Sequence, residues 1–256
     1  VVGKDEVEWI RVGDLVARVI AQTCRQSGLS VVYTELLDFG GDEIYFYPLP
    51  VKLVGKNFGD ALNQFQHNTV LGYRPAGGKP QLNPAMGTLL SAGDQLVVIA
   101  EDDDRIAPDG SAEVLANLLV NQPPITAAAE STLILGWNWK APAIIRELDQ
   151  YAAPGSKVHL AADIDDLDER VRVLRKGLKN QHLTIENLDT TDRHGLDALD
   201  MRGVEHVILL CYSDELDVQA ADARTLMTLL HLRDMAEKNG YRYSVVSEML
   251  DIRNRN

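Results

Sequence analysis

The stretch from Ser131 to Asp163 most constrains the fold of this chain: STLILGWNWKAPAIIRELDQYAAPGSKVHLAAD. Leu133, Ile134 and Leu135 form an apolar run without alternation, which suits a strand buried on both faces. Gly136 ends it. Ala143, Ile144, Ile145 and Leu148 then recur at helical spacing. Pro142 fits the first turn of that helix, where a missing N–H costs little. Pro154 and Gly155 break the chain, and Val158 to Ala162 supply a second apolar strand with Asp163 at its end. Strand, tight turn, helix and strand at this spacing make the opening βαβ of a Rossmann-type unit.

The turn departs from the dinucleotide fingerprint. In place of G-x-G-x-x-G stands Gly136-Trp137-Asn138-Trp139-Lys140-Ala141. Asn138 occupies the position whose glycine lets a pyrophosphate approach the backbone, and Ala141 replaces the glycine that packs helix on strand. A nucleotide, NAD or ATP, is therefore only the alternative ligand. Its vestigial site would comprise Gly136, Asn138, Asp163 and Ser213. Asp163 reads either as a ribose partner or as the N-terminal residue of the next helix. Ser213 and Asp214 follow the fourth strand, at the carboxyl end of the sheet where such folds place ligands. Their structural reading is a cap on the long helix.

The remainder of this half continues the alternation. A charged helix is expected over Asp165 to Lys176, a third strand over Leu183 to Leu188, and a short helix over Gly195 to Met201. A fourth strand follows over Val204 to Cys211. The spacing then predicts a long helix over Val218 to Lys238, with Leu226, Met227, Leu229, Leu230 and Met235 as its apolar stripe and Gly240 as its C-cap. Tyr243 to Val246 reads as a fifth strand. Such an order demands a parallel sheet with right-handed crossovers.

The first half reads differently. Asp14 to Gln26 is helical, with Leu15, Val16, Val19, Ile20 and Thr23 on one face, and Gly28 stops it. Leu29 to Leu37 makes a second helix after a tight turn. The pair lacks a basic face, which sets DNA binding aside. Strands are expected over Glu43 to Pro48, Thr69 to Arg74 and Gln95 to Ala100, with a short helix over Phe58 to Phe65 and an extended Gln81 to Pro84. Together they form a small α+β domain. Asp109 to Ala129 is polar and alanine-rich, holds Pro123-Pro124, and reads as a linker with a short helix at Ala112 to Val120. The expected organisation is a helix pair in 1–42, the small domain in 43–108, the linker in 109–130 and the Rossmann-like domain in 131–256.

Composition narrows the function. A net charge of −13 over 256 residues repels nucleic acid and anionic lipid and admits cations. Cys24 and Cys211 lie on apolar elements of different domains and read as buried free thiols of a reducing compartment. No stretch is long and apolar enough to span a membrane, and there is no signal peptide. The chain opens in mid-pattern at Val1, as a piece of a longer protein does. None of the six histidines has metal-ligand spacing, and no nucleophile–base pair or G-x-S-x-G elbow is present, so no enzyme is expected. Three acidic clusters remain: Asp38, Asp42 and Glu43; Glu101, Asp102, Asp103 and Asp104; and Asp163, Asp165, Asp166, Asp168 and Glu169. Several hard oxygens on a loop suit Ca²⁺, although none matches an EF-hand, and the commoner reading of any one such cluster is a solvated face or a helix cap.

Longer segments carry a resemblance. GDQLVVIAEDDD (Gly93 to Asp104), ADARTLMTLLHLRD (Ala221 to Asp234) and SEMLDIRNRN (Ser247 to Asn256), with LILGW (Leu133 to Trp137) and APGS (Ala153 to Ser156), resemble the CASTOR/POLLUX ion-channel family, including its bacterial relatives. The resemblance runs from about Asp14 to the C-terminus. It implies tandem RCK units, regulators of K⁺ conductance, on the cytoplasmic side of an integral membrane protein. Residues 1–42 would then be crossover helices from the end of a first Rossmann subdomain. Residues 43–108 would be its small C-subdomain, and 131–256 the Rossmann-like subdomain of a second unit. Four subunits would form a gating ring below a tetrameric cation pore absent from this chain, with dimer contacts through the crossover helices. The implied gating ligand is Ca²⁺, for which Glu101, Asp102, Asp103, Asp104, Asp42 and Glu43 are the candidate oxygens. The alternative is a nucleotide-sensing subunit of a K⁺ uptake system.

Overall fold

Strand order separates the chain into two sheets, one antiparallel and one parallel. The computed structural model describes residues 10–110, 116–118, 120 and 127–255. Two units emerge, one running from Ser30 to Pro124 and the other joining the segment up to Leu29 with the residues from Ile125 onward.

Helix α1 (Val12–Arg25) and helix α2 (Leu29–Leu37) are separated by Gly28, whose positive φ of 89° turns the chain. In the smaller unit, β1 (Glu43–Pro48), α3 (Phe58–Leu62), β2 (Thr69–Arg74), β3 (Gln81–Leu82) and β4 (Gln95–Ala100) build a sheet of order β1-β4-β2-β3. Its pairs are antiparallel, and Glu43 lies opposite Ala100. Phe58, Phe65, Leu90, Leu96 and Val98 form the core. Helix α3 begins at a capping box of Asn57 and Asp60 and ends at Leu62, earlier than the pattern to Phe65 suggests. Beyond it, Gln64 bonds back only three residues, to Ala61, so the last turn tightens. The short helix expected at Ala112 to Val120 falls largely outside the described residues. Its described part, Ala116–Leu118, is a 3₁₀ turn.

The larger unit alternates β5 (Ser131–Leu135), α4 (Ala141–Tyr151), β6 (Ser156–Ala162), α5 (Leu167–Gly177) and β7 (Gln181–Asn187). It continues with α6 (Arg193–Ala198), β8 (His206–Leu209), α7 (Val218–Asn239) and β9 (Ser244–Ser247). The sheet order is β7-β6-β5-β8-β9, parallel throughout. Strand order therefore reverses between β5 and β8, the place where such sheets open a crevice at their carboxyl ends. One face buries Ile134, Val158, Leu160, Leu183 and Ile208 against α4, α5 and α1. The opposite face buries Leu133, Leu135, Val207 and Leu209 against α6 and α7. Helix α1 thus completes a layer of the parallel-sheet unit, with Ala17, Ile20, Ala21 and Cys24 in its core.

The expected stripe of α7 is corrected. Ala221, Thr225, Thr228, Leu232 and Met235 face inward, whereas Met227 and Leu230 are exposed. Two threonines stand in the buried row because their hydroxyls are satisfied there, Thr225 on Ala221 O at 3.0 Å and Thr228 on Thr190 O at 3.0 Å.

Candidate functional site

The carboxyl edge of the parallel sheet holds the expected ligand residues. Gly136 follows β5 with φ of 89°. A side chain there would run into the carbonyl oxygen of Leu210, so the turn closes directly against the end of β8. Asn138 is fully buried. Its Nδ2 donates to Cys211 O at 2.9 Å and to the Glu248 carboxylate at 2.7 Å, and its Oδ1 accepts from Lys140 N at 3.0 Å. Lys140 Nζ lies 2.7 Å from Glu248 Oε1, with the two side chains 9% and 11% exposed. Cys211 Sγ donates to Glu248 Oε2 at 3.1 Å. Burial first, then its hydrogen bond to Glu248, pushes this thiol up to about 12.

The candidate ribose partner, Asp163, is likewise engaged within the chain. Arg224 donates to Asp163 Oδ2 and to Asp189 Oδ1, each at 2.8 Å, and its guanidinium lies 4.3 Å from the centre of the Tyr212 ring. Tyr212 OH accepts from Asp163 N at 3.1 Å. Burial works to raise the Asp189 carboxyl, but hydrogen bonds from Thr191 and the Arg224 charge outweigh it and hold the group below the usual carboxylate range. The open space beside Asp163 is a shallow cavity of about 220 Å³, lined by Asp163, Ile164, Asp165, Arg170 and Glu215. That is below the roughly 300–1,000 Å³ of ligand pockets, and its carboxylates would repel phosphates.

The capping readings change too. The N-cap of α7 is Asp217, whose side chain accepts from Gln219 N and Ala220 N. Ser213 instead donates to Asp214 at 3.3 Å. Helix α5 starts after Asp166, in a left-handed conformation with φ of 58°, so Asp163 is held by Arg224 and caps no helix.

The acidic candidates of the smaller unit lie at one end of its sheet. Glu43 opens β1 opposite Ala100, the last residue of β4, and Glu101 to Asp104 follow. Burial, then the charges of Glu43, Asp102 and Asp103, raise the Tyr45 hydroxyl, so this end gathers negative charge from both strands. Asp102 accepts from Asp103 N at 2.7 Å and caps the turn Asp103–Arg105, while Asp104 pairs with Arg105 at 3.5 Å. Asp42 is exposed just before β1. Among the described residues, no group of three or more His, Cys, Asp or Glu side chains is arranged to hold a metal ion.

Sequence reasoning singled out Asn138 and Asp163 but missed Lys140, Glu248 and Arg224, which engage them. Their partners are set by strand order, and no local pattern marks them. Among the described residues, no helix is long and apolar enough to cross a membrane.

Residues 13–115 match the family model described as Castor and Pollux, part of voltage-gated ion channel. The chain is 32% identical over 259 residues to the probable ion channel CASTOR of Oryza sativa subsp. japonica, covering 97% of this chain and 29% of that protein. It is also 32% identical to the ion channel CASTOR of Lotus japonicus, over 91% of this chain and 28% of that protein. The chain therefore spans less than a third of the length of these relatives. Among solved structures, the human SLO3 gating ring aligns with a TM-score of 0.60 at 12% identity, covering 89% of this chain and 49% of that one. The shared architecture is a Rossmann-like parallel sheet with a small α+β unit, as in RCK gating rings.

Proposed function

Because the chain belongs to the Castor and Pollux family of ion channels, we propose that it is a regulatory, non-catalytic segment of a gating ring on the cytoplasmic side of a cation channel. In this reading, residues 1–42 are crossover helices and 43–108 the small subdomain of one RCK unit. Residues 109–130 link them to the Rossmann-like subdomain of a second unit, residues 131–256. The observation that carries it is the filled switch point. The fold is that of a nucleotide binder, yet Asn138, Lys140 and Glu248 occupy the place of the pyrophosphate, and Arg224 engages the carboxylate that would take a ribose. Such a sheet transmits force between packed elements and performs no hydride or phosphoryl chemistry.

Helix α2 supports assembly. None of its residues is buried, and Val31, Val32 and Leu37 stand 69%, 50% and 76% exposed, with Phe39 beyond them at 92%. A run of exposed apolar residues on one short segment is the mark of a protein–protein contact. Across a two-fold axis the same patch would meet its own copy to make a dimer, and a second, heterologous contact would close the tetramer that joins the parent's pore.

Ca²⁺ is the ligand of this reading, with Glu101, Asp102, Asp103, Asp104, Asp42 and Glu43 as its oxygens. A ligand acts on such a ring only by binding two of its states unequally. The test is planar-bilayer recording of the full-length channel while Ca²⁺, NAD⁺ or ATP is titrated on the side carrying this segment. We expect open probability to follow Ca²⁺, with the midpoint moved by about tenfold or more in Asp102→Asn/Asp103→Asn, as loss of roughly 1.4 kcal/mol would do. A response to nucleotide with none to Ca²⁺ would refute the reading and favour a nucleotide-sensing subunit of a K⁺ uptake system.

A further inference from the structure

The group that fills the switch point comes from beyond the last strand. Strand β9 ends at Ser247, and Glu248 reaches back between the ends of β5 and β8 to Lys140, Asn138 and Cys211. Shielded from water, this pair is little weakened by salt, and removing one partner leaves the other charge buried and unpaired.

The residues after Glu248 are fixed by side chains more than by burial of their own. Asp222, fully buried in the first turns of α7, accepts from Leu250 N and Asp251 N at 2.9 Å each and from Asn254 Nδ2 at 2.8 Å. Asp251 in turn accepts from Gln219 Nε2 at 3.0 Å. Leu250 remains 37% exposed. Three carboxylates therefore pin the segment, Glu248 and Asp251 that it contributes and Asp222 that it receives. Releasing it breaks polar contacts and leaves both apolar layers of the sheet intact.

The same turn also touches the other end of the chain. Trp139, next to Lys140 in sequence, lays its indole over Gly13 in the first turn of α1, where even a methyl group would run into the ring. Lys140 Nζ lies 5.1 Å from the centre of that ring. Neighbouring residues of one tight turn thus face α1 and the C-terminal segment.

We propose that Glu248 to Asn254 is a latch that closes the switch point from within the chain, and that its release is passed to the first turn of α1 through Lys140 and Trp139. This goes beyond the gating-ring reading and stands or falls separately from it, since the latch and α1 lie in one unit and need no ring. The elements coupled are named, so the claim is one of energetic linkage and can be measured.

The test is amide hydrogen exchange on the 256-residue chain, read by mass spectrometry, for the wild type, Glu248→Gln and Asn254→Ala. In Glu248→Gln, Lys140 loses its anionic partner. Exchange at Leu250 and Asp251 should rise by about a hundredfold, and at Leu15 and Val16 by about tenfold, with β5 and β8 unchanged. Asn254→Ala touches nothing at the switch point and should give a smaller rise at the same two places. Faster exchange in the segment with α1 unchanged would overturn the transmission. An unchanged segment in both variants would overturn the latch. Should Glu248→Gln open the whole sheet, Asn254→Ala decides alone by the same two readings.

Discussion

Replacing Asn138 by leucine tests whether the crevice is closed. Leucine has the same number of side-chain heavy atoms in the same branching, so most of the packing against Cys211 and the start of α4 is kept. Three polar contacts are lost, to Cys211 O, Lys140 N and the Glu248 carboxylate. Glu248 keeps Lys140 at 2.7 Å, so its loss is small. The Cys211 carbonyl and the Lys140 N–H are left in a water-free site, each at about 1–3 kcal/mol. The expected loss is therefore about 2–6 kcal/mol, a large share of the roughly 5–15 kcal/mol that holds a domain together. At about 2–4 °C per kcal/mol, the midpoint of the parallel-sheet unit should fall by about 10 °C. Trp137 is buried and Trp139 half-exposed in the same turn, so their fluorescence follows this unit during thermal or urea unfolding. The smaller unit should unfold as before, which calorimetry would resolve as a separate transition. A loss below about 1 kcal/mol would refute the reasoning, because the stranded groups must then reach water and the crevice must be open.

Other expectations follow from the same contacts. Cys24 and Cys211 both lie at about 12, raised first by burial; neither should react with a thiol reagent at pH 8, and both should react once the chain is unfolded. The Asp222 carboxyl is held below the usual range because hydrogen bonds from Leu250, Asn254 and Asp251 outweigh its burial. A group whose folded value is depressed lends stability that is fully present above its unfolded value, near 3.9, and is lost as pH falls toward the folded one. Stability should thus drop below about pH 4, and Asp222→Asn should show a shallower acid slope in urea titrations at stepped pH. Val31→Asp on the exposed face of α2 should weaken self-association in sedimentation without moving the unfolding midpoint; an unchanged mass distribution would remove α2 from the proposed interface.

Much of the architecture was legible because it follows from local rules. Strands β1, β2 and β4 and helix α2 fall where the pattern places them. The unbroken apolar runs of β5 and β8 announced central strands of a parallel sheet, and both are buried from the two sides. Helix α7 shows where such rules stop. Apolar residues lie on both of its faces, so periodicity alone does not say which row meets the sheet. The row chosen includes Thr225 and Thr228, whose burial depends on hydrogen bonds that no hydropathy count registers.

The site divides in the same way. That Asn138 breaks the glycine fingerprint is visible in six letters of sequence. What it does instead is not, since Cys211 and Glu248 lie 73 and 110 residues away and meet it only because β8 sits beside β5 and β9 beside β8. The chemistry of the substitution then becomes intelligible. A glycine at this position would leave space for a phosphate. Asparagine fills that space and supplies two donors and one acceptor, all of them used. With Lys140 neutralising Glu248 alongside, the turn that grips a cofactor in a dinucleotide enzyme here grips the chain itself. A second anion could enter only by displacing Glu248 from a site where its charge is already matched, at a cost that binding would have to overcome. In the latch proposed here, the Rossmann frame would serve for its rigidity and its ordered edges, with a segment of the same polypeptide in the ligand's place.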